Sequence, residues 1–119
     1  MNTQQIEKEI KYRHQKHLRK ELETINNQLL KSPKSIQLLI KKVEIAKFMN
    51  DIELIDETYK ELIFLKPDSS KTRVAYASAH KSIGDLEGAL SVLNDALQVN
   101  KPNSDILKAR GEILLLNEV

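Results

Sequence analysis

Apolar residues recur along most of the chain at steps of three and four, which is the spacing of one face of an α-helix. One stripe runs through Leu39, Val43 and Ala46, and a later one includes Tyr59 and Leu62. Glycine and proline number only three each, so signals for strands and tight turns are sparse. The pattern predicts an all-α protein.

Polar breaks containing proline separate the apolar stripes at a nearly constant interval. Pro33, Pro67 and Pro102 lie 34 and 35 residues apart. Between them, Asn50 and Gly84 are also 34 apart, and both residue types can end a helix in the left-handed conformation. A period near 34 residues with two helices in each unit indicates a helical repeat.

The residues of this period resemble the tetratricopeptide repeat (TPR) family. In the unit 70–103, the small and turn residues fall at the family's positions: Ala77, Gly84, Asp85, Ala89 and Ala96. In the unit 36–69, the equivalent places hold Val43, Asn50, Asp51, Ile55, Tyr59, Leu62 and Pro67. The bulky aromatic residue usual near the start of each first helix is replaced by Leu39, Arg73 and Leu107.

The resemblance implies a right-handed superhelix of antiparallel helix pairs, a TPR-like α-solenoid of about six to seven helices. We expect a single domain over residues 1–119. Residues 2–35 would form a degenerate N-terminal unit, 36–69 and 70–103 two repeats, and 104–119 the first helix of a partial repeat. Apolar residues before Pro33 give residues 1–30 a helical stripe, which fits either one long helix or two short ones.

The residue types needed for catalysis or metal binding are sparse or badly placed. The chain has no cysteine, and its glycines form no phosphate-binding loop. His14, His17 and Glu21 share a helical face, but the lysines and arginines around them would repel a cation. We interpret His80 as a packed side chain and the pair Asp56-Glu57 as a solvated surface. The sequence predicts no enzyme, no cofactor and no metal site.

Charge is unevenly distributed along the chain. Residues 1–35 carry eight Lys and Arg against four Glu, whereas residues 36–119 carry eleven against thirteen acids. The basic run from Lys8 to Lys20 could bind phosphates, but only Tyr12 interleaves it and glutamates dilute it, which disfavours nucleic acid. No apolar run is long enough for a membrane span, and no secretory signal is recognisable, so we expect a cytoplasmic protein.

The resemblance also implies the binding surface, because first helices line a concave groove in the family. The groove positions that we expect to bind a partner are Ile40, Lys41, Lys47, Phe48, Lys71, Val74, Ala75, Ser78, Lys81 and Lys108. The lining is apolar with a lysine rim, so the expected partner is a protein or peptide segment with apolar anchors and acidic flanks. The clamp for chaperone C-termini is not expected, since its positions hold Ile40, Glu44, Val74 and Ser78.

Two functions fit these features. One is a stand-alone protein-interaction scaffold, and the other is the N-terminal non-catalytic scaffold of a longer protein, such as an enzyme whose catalytic part lies outside this chain. The last predicted helix carries more apolar residues, such as Ile113 and Leu116, than one buried stripe requires. We therefore also expect self-association through this helix.

Overall fold

The computed structural model describes residues 2–99 and 103–117; Pro102, the third proline of the period, lies outside them. Within these ranges the regular secondary structure consists of α-helices joined by short turns and contains no strand, which confirms the all-α prediction. The helices are α1 (Thr3–Lys31), α2 (Ile36–Phe48), α3 (Ile52–Leu65), α4 (Ser70–Ser82), α5 (Leu86–Val99) and α6 (Ser104–Asn117).

A side-chain cap precedes each helix from α2 to α6. In every case an oxygen accepts a hydrogen bond from the backbone N–H three residues on, which satisfies a donor that has no partner inside the helix. The capping residues and their bond lengths are Ser35 (3.3 Å), Asp51 (3.2 Å), Ser69 (3.2 Å), Asp85 (2.9 Å) and Asn103 (3.4 Å). Ser35, Ser69 and Asn103 follow one another at intervals of 34 residues, and Asp51 and Asp85 are also 34 residues apart. The helix starts therefore follow the period of the sequence.

A residue in the left-handed backbone conformation follows α2 and another follows α4, as the sequence predicts. Asn50 has a φ of 53° and Gly84 a φ of 84°. After each of them, an amide N–H bonds back to a carbonyl five residues earlier: Asp51 to Ala46 at 3.0 Å and Asp85 to His80 at 2.8 Å. This bond closes the helix end and turns the chain directly into the next helix.

The N-terminal segment is one continuous helix, which decides between the alternatives left open by the sequence. Asn2 and Gln5 form a reciprocal capping box at its start. No residue from 2 to 17 is buried, and the first buried side chain is Leu18. From there, Leu18 and Ile25 of α1 pack in one cluster with Ile45 of α2.

Contacts between residues divide the chain into two compact units: the first unit ends at Leu54, and the second unit begins at Ile55. In the second unit, α4 packs along α5, and α6 packs against both. The buried core of this unit is Ala77, Ala89, Leu93, Ala96, Ile106 and Ile113. Ala89 and Ala96 are fully buried, as expected for small residues where helices approach closely.

The buried face of α6 contains Ile106 and not the adjacent Leu107. Leu107, the residue in register with Leu39 and Arg73, is 49% exposed, and the adjacent Ile106 is buried instead. Ile106 and Ile113 lie two turns apart on one face, which packs against the core of the second unit.

None of the described helices is long and apolar enough to cross a membrane.

Candidate functional site

The expected groove residues of the second unit line two adjoining clefts between α4 and α6. The larger cleft has a volume of about 300 Å³, and its walls include Lys71 and Val74 of α4 and Lys108 of α6. A second cleft of about 110 Å³ shares Val74 and is also lined by Ser78 and Lys81. The structure thus brings five of the six expected residues of this unit together, whereas Ala75 lines neither cleft.

The lining of the larger cleft combines an apolar floor with charges of both signs. Val74 and Ala109 are half-buried and pack against the core beneath them. Lys71 and Lys108 stand on the same walls as Asp105 and Glu112. Two carboxylates therefore lie beside the lysines that would attract acidic flanks of a partner.

The expected groove residues of the first unit lie on α2 and are mostly exposed. Phe48 is 68% exposed, and Ile40 and Lys41 are also open to solvent. Lys47 is half-buried, and its Nζ forms an ion pair with Glu44 at 3.1 Å. An exposed aromatic ring leaves Phe48 accessible to a ligand.

A hydrogen-bonded cluster around His80 is the polar feature that sequence reasoning missed. His80 is 5% exposed, which confirms that it is packed. Its Nε2 lies 2.8 Å from Asp56 Oδ1, and its Nδ1 lies 2.8 Å from Asp85 Oδ2. Tyr76 donates its hydroxyl to the same Asp56 oxygen. The interpretation of Asp56 as a solvated surface residue was therefore wrong.

Gly88 makes room for this cluster at the start of α5. A Cβ atom at this position would lie 2.7 Å from His80 Nδ1 and 2.7 Å from Asp85 Cγ, which is closer than such atoms pack. Both ring nitrogens of His80 face carboxylate oxygens. Asp85 couples the end of α4 to the start of α5, because one of its oxygens contacts His80 Nδ1 and the other accepts the backbone N–H of Gly88.

The environment of the cluster shifts the pKa of two of its members. Burial, followed by the hydrogen bond to Asp56, raises the pKa of Tyr76 above its ordinary value. The pKa of Asp85 is lowered, first because its carboxylate accepts the backbone N–H of Gly88 and then because it bonds His80. Tyr76 thus stays a hydrogen-bond donor, and Asp85 stays an acceptor, over a wide range of pH.

The pair of His17 and Glu21 on α1 is a surface contact. His17 Nε2 lies 2.9 Å from Glu21, and both side chains are exposed. In the part of the chain that the structure describes, no group of three or more His, Asp or Glu side chains is placed to hold a metal ion. His80 cannot form such a group with Asp56 and Asp85, because its two nitrogens point to different carboxylates.

Apolar side chains are exposed near both ends of α6, as the expectation of self-association requires. Leu107, Leu115 and Leu116 are all exposed. Self-association itself stays a prediction.

Compared with known proteins, the chain matches no family model, and no curated protein matches it significantly.

Proposed function

We propose that this protein is a non-catalytic, TPR-like helical scaffold that binds a segment of another polypeptide along the exposed face of its first helices. The observation that carries the proposal is the pair of adjoining clefts between α4 and α6. Their lining contains Lys71, Val74, Ser78, Lys81 and Lys108, residues that the repeat pattern assigns to a binding face.

The repeat geometry supports a superhelical TPR-like arrangement in this proposal. The helices α2, α4 and α6 begin at residues 36, 70 and 104, and the two left-handed turns have the same 34-residue separation. In the second unit, α6 packs on both α4 and α5, as the first helix of a following repeat would.

The cleft chemistry defines the ligand that fits best. An apolar anchor of the partner would pack over Val74 and Ala109, and acidic residues beside the anchor would meet Lys71, Lys81 or Lys108. The apolar contact would supply most of the affinity, while the lysines would mainly raise the association rate. Phe48 offers a second apolar anchor point on α2.

A direct test uses peptides selected from a displayed library of random sequences, followed by titration of the isotope-labelled protein. We expect the selected peptides to shift the amide resonances of Lys71, Val74, Lys108 and Ala109. Lys71→Glu and Lys108→Glu should each weaken binding about three- to tenfold at low salt, because they reverse a charge at the cleft. Lys66→Glu is the matched control, since Lys66 is exposed and lines neither cleft.

Two results would contradict the proposal. One is a set of shifts confined to α3 and α5, and the other is an equal loss of affinity in Lys66→Glu and Lys71→Glu. The Phe48→Ala variant reports separately on α2, and we expect it to weaken binding by more than about 1 kcal/mol.

A further inference from the structure

A third cleft, of about 380 Å³, opens in the second unit among α3, α4 and α5. It shares no lining residue with the two clefts between α4 and α6. Its polar lining consists of Asp56, Lys60, Arg73, Tyr76, His80, Ser91 and Asp95.

Arg73 brings a buried guanidinium without an ion-pair partner to the wall of this cleft. The residue is only 8% exposed, yet its guanidinium forms no ion pair with any residue that the structure describes. One terminal nitrogen donates to the carbonyl oxygen of Pro67 at 3.3 Å, and Nε is buried without any hydrogen-bond partner. A buried guanidinium in this state is destabilising until an anion compensates it.

The other charged groups of the cleft do not supply that anion. Asp56 is not within ion-pair distance of Arg73, and its Oδ1 instead accepts from the Tyr76 hydroxyl and lies 2.8 Å from His80 Nε2. Asp95 is exposed and is not within ion-pair distance of Arg73. Lys60 adds a second positive charge to the lining.

We propose that the cleft between α3, α4 and α5 is a carboxylate-binding site in which Arg73 is the principal donor and Lys60 assists. A planar carboxylate matches the fork of a guanidinium. The two carboxylates already in the lining, Asp56 and Asp95, would repel a doubly charged phosphate more strongly than a singly charged carboxylate. The carboxylate comes from a free organic acid or from an acidic side chain of a polypeptide, and both sources present the same group.

The test follows the Nε–H resonance of Arg73 in the isotope-labelled protein. Sodium acetate should shift this resonance with saturation, whereas sodium chloride at equal ionic strength should not. A capped tripeptide with a central aspartate is titrated in parallel. Tighter binding of the peptide than of acetate would identify a polypeptide source, and the reverse would identify a free acid.

Three variants separate a specific site from general screening. Arg73→Lys keeps the charge but loses the fork, so we expect affinity for acetate to fall about tenfold. Lys60→Ala should weaken binding severalfold, and Lys66→Ala, which lies outside the cleft lining, should not change it. Arg73→Leu introduces the side chain that Leu39 has at the equivalent repeat position. Without acetate, we expect the melting temperature of this variant to be no lower than that of the wild type.

The proposal is overturned when acetate gives no saturable shift, when Arg73→Leu responds to acetate through the same amide resonances as the wild type, or when phosphate binds more tightly than acetate. These outcomes are independent of peptide binding at the clefts between α4 and α6, because the two sites share no residue.

Discussion

The carboxylate of Asp85 lies 2.8 Å from the imidazole of His80 and caps the following helix at the same time. One oxygen accepts from Nδ1 of His80, and the other accepts the backbone N–H of Gly88 at 2.9 Å. The last turn of α4 and the first turn of α5 are therefore held by a single side chain. Its geometry depends on the missing side chain at Gly88.

Gly88→Ala should destabilise the protein by about 1–3 kcal/mol, because its methyl group would push Asp85 and His80 apart and leave buried polar groups without partners. Chemical denaturation gives the free energy of unfolding. Gly111→Ala is the matched control, since Gly111 is also helical and an added Cβ there meets nothing within 4 Å. It should be stabilising by about 0.5–1 kcal/mol, as a glycine inside a helix costs conformational entropy. Equal effects of the two substitutions would contradict the steric role of Gly88.

Gly84→Val should cost at least about 1 kcal/mol, because a β-branched residue is strained at the φ of 84° that ends α4. Thermal unfolding followed by circular dichroism measures the effect. Asn50→Gly serves as the opposite control, since Asn50 has a φ of 53° in the equivalent turn and glycine adopts it freely. An unchanged melting temperature for Gly84→Val would show that the turn relaxes without strain.

Ala96→Leu should lower the free energy of unfolding by about 1–3 kcal/mol through overpacking, because Ala96 is fully buried in the core of the second unit. Gln98→Leu on the exposed side of the same helix should change stability by less than about 0.5 kcal/mol. A stabilising effect of Ala96→Leu would mean that the core contains space for a larger side chain.

Asp85 should make stability depend on acid pH. Its pKa is lowered in the folded state, so its contribution is present above the ordinary carboxyl pKa of about 3.9 and is lost as the pH falls through the lowered folded value. Asp85→Asn keeps a capping oxygen but removes the charge. We expect the stability difference between wild type and this variant to be largest near neutral pH and to shrink below about pH 4. Parallel stability curves across this range would contradict the linkage.

Tyr76 should have the opposite effect at alkaline pH. Its folded pKa is raised, so its contribution is complete below the ordinary tyrosine pKa of about 10 and is lost as the pH rises above that value. Tyr76→Phe should remove this alkaline loss, and absorbance near the phenolate band should show that Tyr76 ionises only as the protein unfolds. Ionisation of every tyrosine near pH 10 in the folded protein would refute this expectation.

Local features of this fold could be predicted from sequence, whereas tertiary choices could not. Asn50, Gly84 and Ala96 were assigned correctly, because a left-handed turn and a close helix approach restrict which residue types fit. Where two apolar residues are adjacent, as Ile106 and Leu107 are, the sequence pattern does not say which side chain is buried. Packing against the core of the second unit buries Ile106.

The polar cluster could not be found from spacing alone. Asp56 and His80 are 24 positions apart, and only the approach of α3 and α4 brings them to 2.8 Å. Arg73 occupies a position where the repeat pattern predicts an apolar residue, and this mismatch was the one sequence signal for the cleft between α3, α4 and α5.

The exposed first half of α1 has a consequence for how this protein melts. Its residues 2–17 include no buried side chain, so tertiary packing contributes little to their helicity. They must rely on the capping box at Asn2 and on intrinsic propensity, and a short helix of this kind is marginal in water. Fraying should therefore proceed gradually from the N-terminus on warming, and helical signal should decline well before the cooperative transition of the packed helices.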